Sequence, residues 1–304
     1  AFGTFAVGFS VSFFLLNFSL FDSAFVALAI SVTSTIIIMK VLEELDIIKE
    51  EASYIVLGVA VMEDILIISM LAVLQSVSSS SGDLSIVDIL ISISITIAFI
   101  FGVLFLGSKT IPKFINYIGK FNQHEVLILV VLGVAFGLSF ISYQIGISVA
   151  TGAFFAGVLI AESKVHAVTR ILATPIRDMF GAIFFVSVGA LMDMSLLVVF
   201  IIPASILVIV SISAKFLTVF LSSKSQRFSS ATSMKAAFGL SSSGGELALV
   251  VAKGGADTGL TSVFLLPMIG AMTIITTFIS PYMIKLGWKL PDKIFSKKEK
   301  RDEE

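Results

Sequence analysis

Apolar residues run along the chain in long blocks, separated by short polar or glycine-rich stretches. A helix needs roughly 20 such residues to cross about 30 Å of hydrocarbon. Ten blocks read as crossings: residues 2–20, 23–42, 53–77, 86–107, 123–142, 147–162, 176–192, 195–222, 231–252 and 261–287. A closed β-barrel would instead alternate strictly over stretches of about ten residues. Leu90 to Thr96 does alternate, but Val126 to Phe140 is apolar almost without a break. The pattern predicts an all-α polytopic membrane protein.

Two blocks are interrupted by small polar residues, Ser31 to Thr35 in the second and Ser241 to Gly245 in the ninth. Hydroxyl and glycine clusters at membrane depth serve either close helix packing or an unwound segment whose backbone lines a cavity or binds an ion. Taken singly, each cluster fits both readings. Their placement favours the second, because blocks one to three and eight to ten share one order: plain helix, broken helix, plain helix. The two triplets read as repeats.

Composition removes the soluble alternatives. The 304 residues are 57% hydrophobic and 13% charged, a balance foreign to a water-soluble fold of this size. With no cysteine and two histidines, neither disulfides nor a zinc site is expected. The near-neutral net charge of −1 gives no reason to expect a nucleic-acid partner.

The distribution of charge tests the count of crossings. If every block crosses, all the basic residues except Lys215 and Lys253 fall on one side, the cytoplasmic side by the positive-inside rule. Both ends of the chain are then cytoplasmic, and the first and last triplets enter the membrane from opposite sides. Opposite orientation makes them inverted repeats. The chain starts at Ala1 with a spanning block already under way, so an upstream portion is expected to be missing. Residues 289–304 form a charged run expected to be a solvated cytoplasmic tail. Residues 108–120 are basic, with Ile111, Phe114, Ile115 and Ile118 at helical spacing, as expected of a helix along the membrane surface. The expected organisation is a core repeat A over 1–77, connector and dimer-interface helices over 78–193, an inverted core repeat B over 194–288, and the tail.

Four ionisable residues fall where a bilayer would be most hostile: Glu63 and Asp64 in block three, Lys215 in block eight and Glu246 after the glycines of block nine. A charge at the bilayer centre costs at least about 2.5 kcal/mol on insertion scales, which marks these residues as functional candidates. Neighbouring helix positions point about 100° apart, so Glu63 and Asp64 are expected to do different work. Glu63 would pair with Lys215 across the repeats, offsetting the desolvation of both. Asp64 would face the cavity and take either a proton or an alkali cation. Hard oxygen donors suit such an ion, and Thr33, Ser34 and Thr35 supply them. Ser243, Gly244 and Gly245 form the second break, and Glu246 either caps the half-helix after it or joins the site.

These residues sit in motifs that resemble the Kef/Nap branch of the monovalent cation/proton antiporters. Ala29-Ile-Ser-Val-Thr-Ser-Thr35 with Val41-Leu-Glu-Glu44 resembles the first broken helix of that family, and Leu57-Gly-Val-Ala-Val-Met-Glu-Asp64 its ion-site helix. Thr151 to Ser163, Phe184 to Gly189 and Gly244-Gly-Glu-Leu-Ala-Leu-Val250 follow in the family's order. The resemblance implies an NhaA-like fold with two crossed discontinuous helices, elevator-like exchange, and a homodimer formed partly by further helices upstream. It implies no enzyme activity and no cofactor beyond the transported H⁺ and Na⁺, Li⁺ or K⁺. Na⁺ is the first choice of cargo. The alternative is K⁺, as in Kef-type efflux systems, whose nucleotide-binding regulatory domain or subunit would lie outside this chain. The resemblance makes Asp64 the ion-binding aspartate and Lys215 the partner of the acid before it. A Glu-Asp pair departs from the family's Asp-Asp, Asn-Asp or Gln-Asp and leaves the stoichiometry open. A multi-pass protein of a prokaryotic cell membrane is expected, with a gated cation channel and a membrane sensor as rivals of another class.

Overall fold

A computed structural model describes residues 1–79, 86–121, 123–147, 149–190, 197–241 and 244–302. Among them all regular structure is helical: α1 (Phe2–Ser10), α2 (Leu20–Ser31), α3 (Thr35–Glu44), α4 (Glu51–Ser79), α5 (Ile86–Gly102), α6 (Ser108–Gly119), α7 (His124–Gln144), α8 (Val149–Ala161), α9 (His166–Ala190), α10 (Leu197–Ser225), α11 (Ser230–Ser241), α12 (Glu246–Asp257) and α13 (Leu265–Asp302). Wider π-type turns continue α1 through Val11–Leu15 and join α5 to α6 through Val103–Gly107. Six stretches of the described residues are long and apolar enough to cross a membrane: Leu20–Glu44, Glu51–Gln75, Ser94–Gly119, His124–Gln144, Phe200–Ser225 and Leu265–Leu290. The chain is a polytopic helical membrane protein.

The chain divides into two compact units, residues 1–67 with 193–304, and residues 68–192. In the first, α2 is the central helix, buried at every position from Asp22 to Ser31. Its start is set by Ser19, whose hydroxyl accepts from the Asp22 amide at 3.1 Å, an N-cap that satisfies one of the orphan donors of the first turn. Around it pack α1, α10, α12 and α13. On the far side of the first break, Ile38, Val41 and Leu42 of α3 share a core with Val56 and Ala60 of α4, Ala236 and Leu240 of α11, and Ile284 and Trp288 of α13. The half-helix before the first break thus packs on the half-helix after the second, and the reverse pairing holds on the other side.

In the second unit α7 and α8 meet backbone to backbone. A Cβ on Gly152 would lie 2.7 Å from the Leu138 carbonyl carbon and the Ser139 Cα, so only glycine permits that approach. The α6 face carrying Ile111, Ile115 and Ile118 closes a core with Leu127 and Val131 of α7, Ile160 of α8 and Leu172.

Three details go beyond the sequence pattern. Phe114 is 51% exposed, while Ile111, Ile115 and Ile118 pack towards α7 and α8. The apolar block expected over 176–192 lies in a helix that starts at His166, ten residues before that edge. Arg170 and Arg177 hide that amphipathic stretch from a hydropathy reading. The charged run after Lys289 continues α13 as helix to Asp302, since a charged composition is no obstacle to helix on its own.

Candidate ion site at two helix breaks

The first break is a three-residue interruption. Val32 turns extended (φ −64°, ψ 140°) and ends α2, and Ser34 (φ −81°, ψ 96°) starts α3 by accepting the Ile37 amide at 3.4 Å. β-branched and hydroxyl residues favour this, since their side chains resist helix or compete for its hydrogen bonds. An interrupted helix leaves carbonyls free at one end and amides free at the other, and α10 serves the carbonyls. Ser211 donates to the Ile30 carbonyl at 3.1 Å, and one turn later the Lys215 ammonium donates to the Val32 carbonyl. A buried cation, 2% exposed, therefore stands at the negative end of the α2 dipole.

Thr33 and Thr35 flank Ser34, and each meets one of the two adjacent acids on α4. Thr33 Oγ1 donates to Glu63 Oε2 at 2.7 Å and accepts from Lys215 Nζ at 3.1 Å. Its single hydroxyl thus stands between a buried carboxylate and a buried ammonium. The α-amino group of Ala1 lies 2.9 Å from the other oxygen, Glu63 Oε1. Thr35 Oγ1 donates to Asp64 Oδ2 at 3.2 Å. Asp64 is half-buried whereas Glu63 is 5% exposed, so the neighbours differ in access as well as in partner. Asp64 also lies at the first residue of α3, where the positive end of the helix dipole favours an anion.

The second break touches the first. A Cβ on Gly245 would lie 3.0 Å from Val32 Cγ1 and 3.2 Å from both Ser34 N and Cα. Its backbone is extended (φ −103°, ψ 164°), a conformation open to any residue, so what favours glycine here is the close approach and not a turn. Gly244 packs on Thr273 and Thr276 of α13. α12 starts at Glu246 with Gly245 as its N-cap. The Glu246 side chain and Ser243 lie outside the described residues.

Of the predicted oxygen donors, Thr35 donates to Asp64, while Thr33 is engaged by Glu63 and Lys215 and the Ser34 hydroxyl caps α3. Sequence reasoning passed over Ser211, although its polar side chain four residues before Lys215 in an apolar helix was a usable signal. It also passed over Asp22, 2% exposed. Its carboxylate accepts from the Ser262 amide at 2.7 Å, the Ser262 hydroxyl at 2.6 Å and the Ser19 hydroxyl at 2.9 Å. This ties the start of α2 to the segment entering α13.

Comparison with known proteins bears on what the site serves. A high-affinity Na⁺/H⁺ antiporter of Synechocystis, NhaS3, is 31% identical over 84% of this chain and 56% of its own length. A Na⁺/H⁺ antiporter of Enterococcus hirae is 28% identical over 87% of this chain and 69% of its own. The K⁺/H⁺ antiporter subunit KhtU of Bacillus subtilis is 27% identical over 93% of this chain and 69% of its own. The chain thus spans between about half and two thirds of these relatives, which are transporters and not enzymes. The sequence profile described as "sodium/hydrogen exchanger, transmembrane" matches residues 1–288, and the chain belongs to that family.

Proposed function

We propose that the protein exchanges protons for a monovalent cation across the cell membrane by alternating access, with Asp64 as the carboxylate for which the two ions compete. One observation carries this reading. Two adjacent acids sit at a break in a central helix, and one of them is held by a buried lysine through Thr33 while the other is half-buried at the start of α3. A carboxylate in such a setting gains from either a proton or a cation. A site that one ion must leave before the other enters couples the two fluxes.

In this account Glu63 and Lys215 hold the break together, and Thr35, with carbonyls freed nearby, completes an oxygen shell around the cation at Asp64. The architecture would be NhaA-like, with ten crossings, both ends cytoplasmic, and inverted repeats built on α1–α4 and α10–α13. The contact of the two breaks at Val32, Ser34 and Gly245 supports it, as does the reciprocal packing of their half-helices. The protein would work as a homodimer, with any regulatory domain or subunit outside this chain.

Na⁺ is the first choice of cargo because the Synechocystis and Enterococcus relatives are Na⁺/H⁺ antiporters. The K⁺/H⁺ relative from Bacillus supports a second reading with potassium. Buried, mutually engaged charges favour a carrier over a channel or a sensor. Full-length protein in proteoliposomes with an imposed proton gradient decides among these readings. Cation-dependent dissipation of the gradient by Na⁺, Li⁺ or K⁺ supports exchange and names the ion. Current at channel rates without a proton gradient, or no flux with any of the three, sinks it.

A further inference from the structure

From Ile86 to Gly119 the chain is helical without interruption, well beyond the roughly 20 residues that cross a bilayer. With residues 86–107 taken as the crossing, α6 at the C-terminal end of this path lies at headgroup level, and its surface is divided into three stripes. At about 100° per residue, Lys109, Lys113 and Lys120 fall within about 40° of one another, and Phe114, Tyr117 and Phe121 form a second stripe about 90° away. Ile111, Ile115 and Ile118 form the third, turned into the core of α7 and α8. The three aromatic residues are 51%, 58% and 56% exposed, and the three lysines are exposed as well.

Among the described residues no carboxylate answers this charge. No acid occurs between Asp88 and Glu125, and none of the three lysines has a carboxylate partner among the described residues. Lys109 lies instead over the Phe105 ring, 3.9 Å from its centroid. Tyr117 and Phe121 pack edge to face at 5.4 Å. Tyr117 belongs to the residue types that settle at the boundary between hydrocarbon and headgroups, and lysines beside it meet the anionic groups found at that depth.

We infer that the exposed face of α6 is a binding site for anionic phospholipid headgroups. The three lysines engage the lipid phosphates while Phe114, Tyr117 and Phe121 lie among the upper acyl chains. The occupant is lipid and not free phosphate, because the basic stripe borders an apolar one that only an amphiphile covers.

The test uses the full-length protein, stripped of lipid in detergent and offered equal phosphatidylglycerol and phosphatidylcholine, with retained lipids counted by native mass spectrometry. Wild type is expected to retain phosphatidylglycerol preferentially. Each lysine at an anionic surface is worth roughly fivefold in affinity, so K109Q/K113Q/K120Q should lower the retained ratio by at least about tenfold. The corresponding triple arginine variant should keep it. Replacing Phe114, Tyr117 and Phe121 by alanine should lower retention of both lipids without changing their ratio, and millimolar inorganic phosphate should displace neither.

A triple glutamine variant with the wild-type ratio overturns the proposal. So does an equal fall in K40Q/K49Q/K224Q, which removes the same charge elsewhere, or displacement of lipid by phosphate. Loss of a dimer with the lipid ratio intact would likewise overturn it, by giving the face to a second copy of the chain.

Discussion

Thr33 donates its hydroxyl hydrogen to Glu63 across 2.7 Å while its oxygen accepts from the Lys215 ammonium at 3.1 Å. A side chain in that position is a spacer between opposite charges. It lets both remain buried and hydrogen-bonded, and it is occupied on both sides. Thr33→Val keeps the volume and removes the bridge, leaving groups on either side short of a partner. It should cost about 1–3 kcal/mol of stability and shift the pH profile of exchange, whereas Thr33→Ser should restore both. Melting in detergent and exchange measured across pH read the two effects. A wild-type profile in Thr33→Val would show that the bridge has no part in the cycle.

Lys215 donates to the Val32 carbonyl and to Thr33. Lys215→Met should destabilise by about 1–3 kcal/mol, since it leaves the buried Val32 carbonyl and Thr33 without this donor. The double variant Glu63→Gln/Lys215→Met should recover part of that loss, because a glutamine still accepts from Thr33 without needing a counter-charge. Cation binding at Asp64 should survive Lys215→Ala better than the pH dependence or charge stoichiometry of exchange does. A thermal-unfolding cycle on the singles and the double reads the coupling, and strict additivity would mean that the two residues do not sense each other.

Gly245→Ala would place a methyl group 3.0–3.2 Å from Val32 and Ser34 and force the breaks apart. Overpacking of this kind costs about 1–3 kcal/mol, and displacing the oxygen shell by a fraction of an ångström should lower exchange by roughly tenfold or more. Gly102→Ala, with no atom within 4 Å of the added carbon, should behave as wild type. Exchange rates normalised to protein per vesicle compare the two, and equal rates would show that the crossing tolerates slack.

The breaks, the acid pair and the buried lysine were legible in the sequence, because a bilayer makes every polar residue in an apolar block conspicuous. The partition of work between neighbouring hydroxyls was not. Thr33 and Thr35 are alike in composition and differ only in which acid the α4 helix turns towards them. The Asp22–Ser262 contact was hidden for another reason. Its partners lie near the edges of blocks, where polar residues are ordinary, and 240 positions apart in the chain. The start of α9 was lost because its first turns mix arginine with apolar residues, a pattern that hydropathy scores as loop although the backbone is helical.

Asp22→Ala removes the acceptor of three hydrogen bonds at the start of α2, each worth about 1.5–3 kcal/mol when one partner is charged. The variant should melt well below wild type, and Ser262→Ala, which keeps the amide bond, should fall between them. Both should retain the cation preference of wild type, since neither touches Asp64. A change of preference would tie the latch to selectivity.

The most direct test of the account is cation-dependent proton exchange by Asp64→Asn in proteoliposomes, beside wild type and with folding checked by melting. The asparagine keeps an oxygen for Thr35 but can neither hold a proton at physiological pH nor offer a charge to a cation. The expected result is a folded protein whose exchange falls to the level of empty vesicles. Exchange at the wild-type rate would contradict it and move the competing site away from Asp64.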